Sequence, residues 1–443
     1  MTPTERDRPG APGAMPAPGA TPARYRRRRA TSLACVLVVV TALALVATYT
    51  LSTRGPSDRV LAQGTSHASS GPLLSLRSVI PPSTRFPGAA PALPFPKIGQ
   101  AAVGVAGVGI IGSSRHARSR PIASVTKVMT ALLVLRDHPL TGDGGGPVFT
   151  MTRADHLAWV RASEADESNV EVVAGEKINE RQLLEALLIP SADNIAVYLA
   201  RWDAGSIGAF VAKMNAEAGA LGLHSTHYAG PSGVNPGSRS TAADQVVLAG
   251  IAMQNPTFRS IVARHDAVIP VAGRIWNYNP VLGEDGIVGV KSGFTNEAQG
   301  CLVTAAWRIV GGRRLLVVSA ALGQRLGLGQ AGQVDVALLK AATRLLEART
   351  VVTKGEVVAV AVARSGDRRG AGVPVRVPVR VPVRVSGGEI VVIGWPGLEL
   401  ASKVRPLDVP AGRAGRAGRA GRAGRAGLLP AGTTVGMLEL STP

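Results

Sequence analysis

Aromatic residues are scarce in this chain: Phe, Trp and Tyr together make up 4% of its 443 residues. Proteins that bind single-stranded nucleic acids stack the bases on aromatic side chains, so this shortage disfavours such a partner. The formal net charge of +20 does not reverse the conclusion. Much of that charge lies in an Arg cluster at 24–29 and in two Arg-containing repeats, so it does not mark one face of a folded domain. We therefore expect no nucleic-acid partner.

Cysteine is scarcer still, with Cys35 in an apolar segment and Cys301 in a strand-like run. Two cysteines in such different settings are not expected to pair, which argues against a disulfide framework. The seven His residues are scattered, and none belongs to a His-Glu-x-x-His pattern or to a Cys/His cluster with zinc spacing. We therefore expect no metal site.

Lysine is also rare, since only eight of the 49 basic residues are Lys. One of them, Lys127, lies three residues after Ser124 in an apolar run, Pro121–Leu135, that has helical periodicity. Side chains three residues apart share one face of a helix. A desolvated Lys has a lowered pKa and can activate a Ser hydroxyl, whereas Arg does not give up its proton. The alternative is a Lys at the edge of a core helix, because Ser-x-x-Lys alone occurs by chance in roughly every second chain of this composition.

The N-terminal part of the chain predicts an exported protein. Residues 1–30, rich in Pro, Ala, Gly and Arg, are expected to form a disordered cytoplasmic tail. The next 22 residues, Thr31–Ser52, carry no charge and are long enough to span a bilayer. The Arg cluster before them predicts a single-pass anchor in the cell membrane with the remainder extracytoplasmic, and the alternative is a cleaved signal peptide followed by secretion. Residues 53–95, rich in Ser, Pro and Gly, are expected to be a linker.

The remaining residues divide into a larger helical part and a smaller β-rich part. Residues 96–350 contain helical segments followed by a hairpin with a Gly-Gly turn, which predicts an α+β domain. Its predicted helices include Glu180–Leu188, Ile195–Trp202, Ile207–Leu221, Thr241–Met253 and Val334–Arg349, whereas Val148–Val160 is interpreted as strand or loop. Residues 351–443 have short strands and turn residues, which predict a small β-rich domain. Its two low-complexity inserts, Val373–Val385 and Gly412–Gly427, are expected to be exposed loops.

Three short polar motifs follow one another along the larger part. They are Ser124-x-x-Lys127 on a helix, Ser191-Ala-Asp193 on a loop and Lys291-Ser292-Gly293 at the end of a strand. Each has a structural explanation by itself, because a Ser often caps a helix and a Lys often ends a strand. Together and in this order they form a set that is typical of enzymes with an acylated serine.

With these motifs the chain resembles the low-molecular-mass penicillin-binding proteins, which are serine-type D-alanyl-D-alanine carboxypeptidases. The matching stretches are Arg120–Ala131, Leu183–Asn194, Gly230–Gly237 and Gly289–Thr295. The resemblance covers roughly residues 95–350. It implies a β-lactamase/transpeptidase-like fold, with an antiparallel sheet flanked by helices and the active site between the sheet edge and a helical lobe. It also implies that neither a metal nor a cofactor is needed.

The resemblance implies a catalytic role for three residues. Ser124 would attack the carbonyl between two D-Ala residues, Lys127 would take its proton, and Ser191 would relay a proton to the leaving amine. The backbone N–H groups of Ser124 and Phe294 would form the oxyanion hole. A nearby cationic Lys291 would lower the pKa of Lys127, as a general base requires.

Other residues would bind the substrate. Lys291 would place positive charge near its terminal carboxylate, Ser292 would hydrogen-bond that carboxylate, and Gly293 and Phe294 would complete the strand beside it. Asp193 stands where the family usually has Asn and would hold both Lys127 and the substrate amide. An Asp carboxylate accepts hydrogen bonds but does not donate them, and as an ion-pair partner it would raise the pKa of Lys127.

The leading hypothesis is an enzyme that removes the terminal D-alanine of peptidoglycan stem peptides and is acylated by β-lactams. One alternative, favoured by Asp193, is a catalytically weak homologue that binds cell-wall peptides. Another is a β-lactamase or esterase, which would need a deacylation base, and Glu217 is the candidate for that role. The sequence leaves open whether the enzyme trims pentapeptides or cuts cross-links, its oligomeric state and the role of the Arg-rich repeats.

Overall fold

The computed structural model describes residues 74–81, 83–89, 92–363, 379–384, 389–406 and 436–441. The predicted tail, the predicted membrane segment Thr31–Ser52 and most of the predicted linker lie outside these ranges. Within them, no helix combines the length and the apolar character needed to cross a bilayer. All described residues fall in one unit by their mutual contacts.

The described ranges contain helices, strands and two short 3-10 turns. The α-helices are α1 (Lys127–Asp137), α2 (Arg153–Glu164), α3 (Glu180–Leu188), α4 (Asp193–Ala204), α5 (Ile207–Ala220), α6 (Ala242–Ala252), α7 (Pro256–Val262) and α8 (Gly327–Leu345). The strands are β1 (Leu74–Ser78), β2 (Ser83–Arg85), β3 (Gln100–Val105), β4 (Gly109–Ser113), β5 (Arg120–Pro121), β6 (Val148–Thr150), β7 (Lys177–Asn179), β8 (Arg239–Ser240), β9 (Asp266–Ile269), β10 (Gly273–Trp276), β11 (Ile287–Gly293), β12 (Gly300–Val310), β13 (Arg313–Gln324), β14 (Glu347–Val352), β15 (Val357–Ala363), β16 (Val379–Arg384), β17 (Ile390–Gly394), β18 (Glu399–Pro406) and β19 (Gly436–Ser441). The predicted α+β class is confirmed.

A five-stranded antiparallel sheet forms the centre, with the strand order β11-β12-β13-β3-β4. The predicted hairpin is present as β12 and β13, and its turn residues Gly311 and Gly312 both have positive φ, at 54° and 75°. This order leaves β11 at one edge of the sheet. The third motif lies on that strand, where Lys291 is opposite Val303 and Gly293 is opposite Cys301.

Both faces of the central sheet are buried, since successive side chains of a strand point to opposite faces. On β3, Ala102 belongs to a core shared with the helices around α1, whereas Ala101 and Val103 belong to a second core shared with α8. Helices α6 and α8 both contact β3 and β13. The sheet is therefore a middle layer between a helical lobe and α8.

Helix α1 is the central helix of that lobe. Eight of its eleven residues are buried, including Lys127, and a helix that is buried on nearly every side belongs to the interior of a lobe. The 3-10 turn Ala123–Thr126 precedes it, so Ser124 lies in that turn just before α1. The short pair β5 and β8 holds the preceding chain, with Arg120 opposite Ser240.

Three structural expectations need correction. The predicted linker 53–95 contains β1 and β2, which pair with β15 and β18 near the other end of the chain. Its Leu-Ser-Leu-Arg-Ser segment alternates as a strand does, and the Ser- and Pro-rich surroundings obscured that pattern. In the insert predicted as an exposed loop, Val379–Arg384 forms β16, which alternates in the same way and pairs with β15 at the edge of its sheet. The second insert, Gly412–Gly427, lies outside the described residues.

The third correction concerns Val148–Val160, where most of the segment interpreted as strand or loop belongs to α2. A capping box begins this helix, with Thr152 and Asp155 each bonding the backbone of the other. Only Ala162 of α2 is buried, so the helix has little of the apolar periodicity that reveals a helix in a sequence.

Candidate active site

Lys127 is completely buried and its amine makes three short contacts. Its Nζ lies 2.7 Å from Ser124 Oγ, 2.6 Å from Asp193 Oδ1 and 2.9 Å from the backbone oxygen of Ser232. A neutral amine has two N–H donors and one lone pair. As an ammonium, Nζ donates to all three oxygens, and once it has lost a proton its lone pair can take the Ser124 hydroxyl proton. Ser124 and Lys127 thus meet in the arrangement of a nucleophile and its base.

Burial lowers the pKa of Lys127 even though Asp193 opposes the change. Desolvation of the ammonium is the largest influence, and the carboxylates of Asp193 and Glu167 raise the pKa by less. The expected ion pair with Asp193 is present and raises the pKa of Lys127 as expected, but desolvation outweighs it. Lys291 was expected to lower the pKa of Lys127, but it does not contribute to this shift. The lowered pKa of Lys127 comes from the buried position of its amine.

The nucleophilic turn, Ala123–Thr126 with the candidate nucleophile Ser124, is held tightly against the edge strand. Ala123, just before Ser124, has a positive φ of 46°, which is a strained conformation for a residue with a side chain. A Cβ atom on Gly293 would lie 2.8 Å from Ser124 N and 3.0 Å from Val125 N. Only glycine therefore allows β11 to approach the turn so closely, and the first and third motifs meet at this point.

Ser191 lies in the loop between α3 and α4 with its side chain turned into the protein. It is 3% exposed, and its Oγ has no hydrogen-bond partner among the described residues. Its φ of 70° is unusual for a residue other than glycine. An unsatisfied buried hydroxyl in a strained backbone is costly, and both features are common at functional sites.

The two residues after this loop have different tasks. Asp193 begins α4 and directs its carboxylate to Lys127, while its backbone N–H donates to Ser168 O at 2.7 Å. Asn194 turns the other way and bonds the backbone of Val170 twice, accepting from its N at 3.2 Å and donating to its O at 2.9 Å. A carboxylate therefore occupies the position beside Lys127, and the neighbouring amide does not replace it.

Lys291 brings a second buried amine to the site. It is 1% exposed, and its Nζ donates to the backbone oxygen of Ser292 at 2.9 Å. Burial and then the charge of Lys127 hold the pKa of Lys291 well below its usual range, and Asp193 opposes them. Lys291 lies on β11 two residues before Gly293, where this strand meets the turn that contains Ser124. Ser292 is buried beside it, whereas Phe294 is 51% exposed where the strand has ended.

Three contributions to the site were not predicted from the sequence. The Ser232 carbonyl holds Lys127, and Gly233 lies so close to the nucleophilic turn that a Cβ there would be 1.9 Å from Ala123 O. Both belong to a Gly-Pro-Ser-Gly stretch whose glycines were the available signal. Glu167 raises the pKa of Lys127, and no pattern in the sequence marked it. The alternative base Glu217 forms an exposed ion pair with Arg136 instead.

The arrangement provides the groups for acyl transfer: a hydroxyl paired with a buried amine, an unpartnered hydroxyl, and a second amine on an edge strand. Among the described residues, no group of three or more His, Cys, Asp or Glu side chains is placed to hold a metal ion. The chemistry available from these side chains is nucleophilic and acid–base catalysis.

A family model described as D-alanyl-D-alanine carboxypeptidase matches residues 104–322. D-alanyl-D-alanine carboxypeptidase DacB2 of Mycobacterium tuberculosis is 37% identical over 206 residues, covering 45% of this chain and 66% of that protein. A D-alanyl-D-alanine carboxypeptidase of a Streptomyces species is 35% identical over 214 residues, covering 44% of this chain and 71% of that protein. A D-alanyl-D-alanine endopeptidase of Pseudomonas aeruginosa is 32% identical over 202 residues, covering 41% of this chain and 58% of that protein.

Solved structures give the same picture. A Streptomyces DD-transpeptidase is 28% identical with a TM-score of 0.50, covering 58% of this chain and 100% of that one. Penicillin binding protein 6B from Escherichia coli is 21% identical with a TM-score of 0.55, covering 68% of this chain and 99% of that one, which shows a shared fold.

Proposed function

The chain belongs to the D-alanyl-D-alanine carboxypeptidase family, and from that premise we propose that it removes the terminal D-alanine of peptidoglycan stem peptides through an acyl-enzyme on Ser124. The observation that carries the proposal is the 2.7 Å contact between Ser124 Oγ and the buried Lys127 amine. The names of the relatives favour this activity over the peptide-binding homologue and over the β-lactamase or esterase. They include endopeptidases, so the position of the cleaved bond in the wall is part of the proposal.

In the proposed acylation, Ser124 Oγ attacks the carbonyl between the two D-Ala residues as Lys127 takes its proton. Lys127 suits this role because burial lowers its pKa, so the neutral amine is available closer to neutral pH. The proton then passes to the leaving amine through Ser191, whose unpartnered Oγ is free to bond the substrate. The C–N bond breaks and the first product, D-alanine, departs.

The oxyanion would lie between the backbone N–H groups of Ser124 and Phe294. The closeness of Gly293 to Ser124 supports this assignment, because it brings the end of β11 to the nucleophilic turn. Loss of one oxyanion-hole donor in such sites typically costs about 100- to 1,000-fold in rate.

The terminal carboxylate of the substrate would bind at Lys291 and Ser292. The Lys291 amine has one backbone acceptor among the described residues and is otherwise buried, so an anion would supply the missing partner. Asp193 would fix Lys127 and accept an N–H of the substrate, because a carboxylate has no donor to offer to an amide oxygen.

We also propose that the catalytic unit works outside the cytoplasm, held by the uncharged segment Thr31–Ser52. Support comes from the length of that segment and the Arg cluster before it. Fractionation of cells that produce the full chain tests the anchor. Membrane-bound protein that resists salt extraction is expected, and fully soluble, shortened protein in the medium would instead show signal cleavage.

Two measurements on the purified chain test the activity: covalent labelling by a fluorescent penicillin and release of D-alanine from a stem pentapeptide. Wild-type protein should show both, and Ser124→Ala should show neither. Ser163→Ala, an exposed serine on α2, is the matched control and should behave as wild type. Labelling of Ser124→Ala, or D-alanine release that survives this substitution, would overturn the proposal. A cross-linked dimeric peptide as substrate distinguishes an endopeptidase.

A further inference from the structure

The loop after α2 is fastened to the start of α4 beside the nucleophile's base. The Asp193 N–H donates to Ser168 O at 2.7 Å, and the Asn194 side chain bonds both backbone groups of Val170. Because Asp193 also holds Lys127, the same two residues of α4 fix the base and this loop. The backbone of the loop is thereby tied to the start of α4, the helix that carries Asp193.

Glu167 precedes Ser168 in this loop, and its backbone is bonded on both sides. Its N–H donates to Ala162 O at 2.9 Å, and its carbonyl accepts from Asn169 Nδ2 at 2.7 Å. Asn169 Oδ1 in turn accepts from Trp159 Nε1 at 2.9 Å. The Glu167 side chain is partly exposed, and its carboxylate has no hydrogen bond or ion pair with any residue that the structure describes.

The charged groups that act on this carboxylate are Asp193 of α4 and Lys127 of α1. Burial and repulsion by Asp193 raise the pKa of Glu167, and Lys127 lowers it by less. A carboxylate with a raised pKa is a stronger proton acceptor than an ordinary surface Glu, which suits general-base catalysis. The hydrogen bond from Asp193 N–H to Ser168 O independently places Glu167, the residue before Ser168, beside the start of α4.

Hydrolysis of an acyl-enzyme needs a base for the attacking water. In the resting site, the Lys127 amine donates to Asp193 Oδ1, Ser232 O and Ser124 Oγ, so its three hydrogen-bonding positions are all taken. Once Ser124 is acylated, its Oγ is the ester oxygen, and the amine stays engaged at that atom. The attacking water therefore requires a proton acceptor other than Lys127, on the open side of the Ser124–Lys127 pair.

We infer that Glu167 is the general base that activates the hydrolytic water in deacylation of Ser124, an inference that rests on the proposed acyl-enzyme. Glu167 takes one proton from water while the water oxygen forms a bond to the acyl carbon. The bond between that carbon and Ser124 Oγ then breaks. The proton returns from Glu167 to Ser124 Oγ through Lys127, so one water and one ester give one carboxylic acid and the free serine.

The test separates acylation from deacylation with a penicillin as the acyl donor. Intact-protein mass spectrometry follows the gain of the penicilloyl adduct and, after removal of free penicillin, its loss. In Glu167→Gln, the loss should be about 100-fold slower, because general-base catalysis typically contributes 100- to 10,000-fold. The gain of adduct should stay within about twofold of wild type, since Lys127 performs that step.

Two further variants make the result specific. Glu171→Gln changes an exposed Glu of the same segment and should leave both rates unchanged. Glu167→Asp keeps a carboxylate and should restore part of the deacylation rate, which a purely structural role would not produce. The deacylation rate of wild type should fall at acid pH as Glu167 is protonated, and this acid limb should vanish in Glu167→Gln.

Deacylation of Glu167→Gln at the wild-type rate would overturn the inference, as would an equal fall in both rates with lowered thermal stability. An adduct that forms normally but decays independently of Glu167 leaves the proposed function standing and removes only this inference. If no adduct forms on Ser124 of the wild type, both the proposed function and this inference fail.

Discussion

Gly233 offers a direct test of how the nucleophilic turn is held. It has a φ of +89°, and a Cβ atom there would lie 1.9 Å from Ala123 O. Real Cβ contacts do not fall below 3.0 Å, so Gly233→Ala must move the Ala123 backbone or the Ser232–Gly233 loop by about 1.1 Å. Ala123 adjoins Ser124, the proposed nucleophile, and Ser232 holds Lys127, so either movement separates Ser124 from its proposed base.

We expect penicillin acylation of Gly233→Ala to be about 100-fold slower, the effect of a displacement of about 1 Å on reacting groups. Backbone strain at positive φ adds a loss of about 1–2 kcal/mol in the free energy of unfolding. Gly175 is the matched control, because its φ is +91° and a Cβ there would meet nothing within 4 Å. Gly175→Ala should show the loss of stability without the loss of acylation.

Acylation rates from fluorescent penicillin labelling and unfolding in denaturant, measured on both variants, supply the comparison. Near-wild-type acylation of Gly233→Ala would refute the argument that this glycine is required by the close approach. Equal slowing in Gly175→Ala would show that backbone strain, and not displacement of the nucleophilic turn, controls the rate.

Other predictions concern protonation and recognition. In Asp193→Asn the acid limb of the acylation rate should move to lower pH, because the carboxylate that raises the pKa of Lys127 is gone; a pH–rate profile that moves upward would contradict this. The completely buried Asp335, which accepts from Ser319 Oγ at 2.7 Å, has a pKa raised well above its usual value by burial. The native state then holds a proton on Asp335 that the unfolded state releases. The stabilisation from this proton is full below the unfolded pKa and is lost as pH rises through the folded pKa. The free energy of unfolding, measured in denaturant at a series of pH values, should therefore decline less with rising pH in Asp335→Asn than in wild type. Amidation of the terminal carboxylate of the pentapeptide should raise KM in wild type but change little in Lys291→Ala, and an equal effect in both would exclude Lys291 from carboxylate binding.

The sequence predicted those elements whose local signals agree with their packing. Helix α3 has the predicted bounds Glu180–Leu188, because an Asn179 cap and a strong apolar face mark it. Helix α8 begins at Gly327, seven residues before the predicted start at Val334. Three glycines in its first two turns argue against a helix by propensity, yet a Cβ on Gly332 would lie 2.7 Å from Val281 Cγ1, so tertiary packing requires the small residue.

The sequence motifs predicted only part of the site. Spacing placed Ser124 and Lys127 together, but the dominant influence on the Lys127 pKa depends on burial, which a motif does not contain. Glu167 and the Ser232 carbonyl reach the site through tertiary contacts, and the Ser232 contact spans 105 residues of chain. Such contributions become visible only when the loops are seen against α1 and α4.

The pairing of β1 with β15 has a consequence for biogenesis. Leu74 is opposite Ala363, so this ladder joins segments that are made nearly 290 residues apart. During synthesis β1 must wait, with its backbone groups unpaired, until almost the whole catalytic unit has emerged. A prematurely terminated chain that ends after α8 would keep Ser124, Lys127 and Lys291 and still present an open strand to other molecules, so quality-control proteases and aggregation should remove it before it reaches the wall.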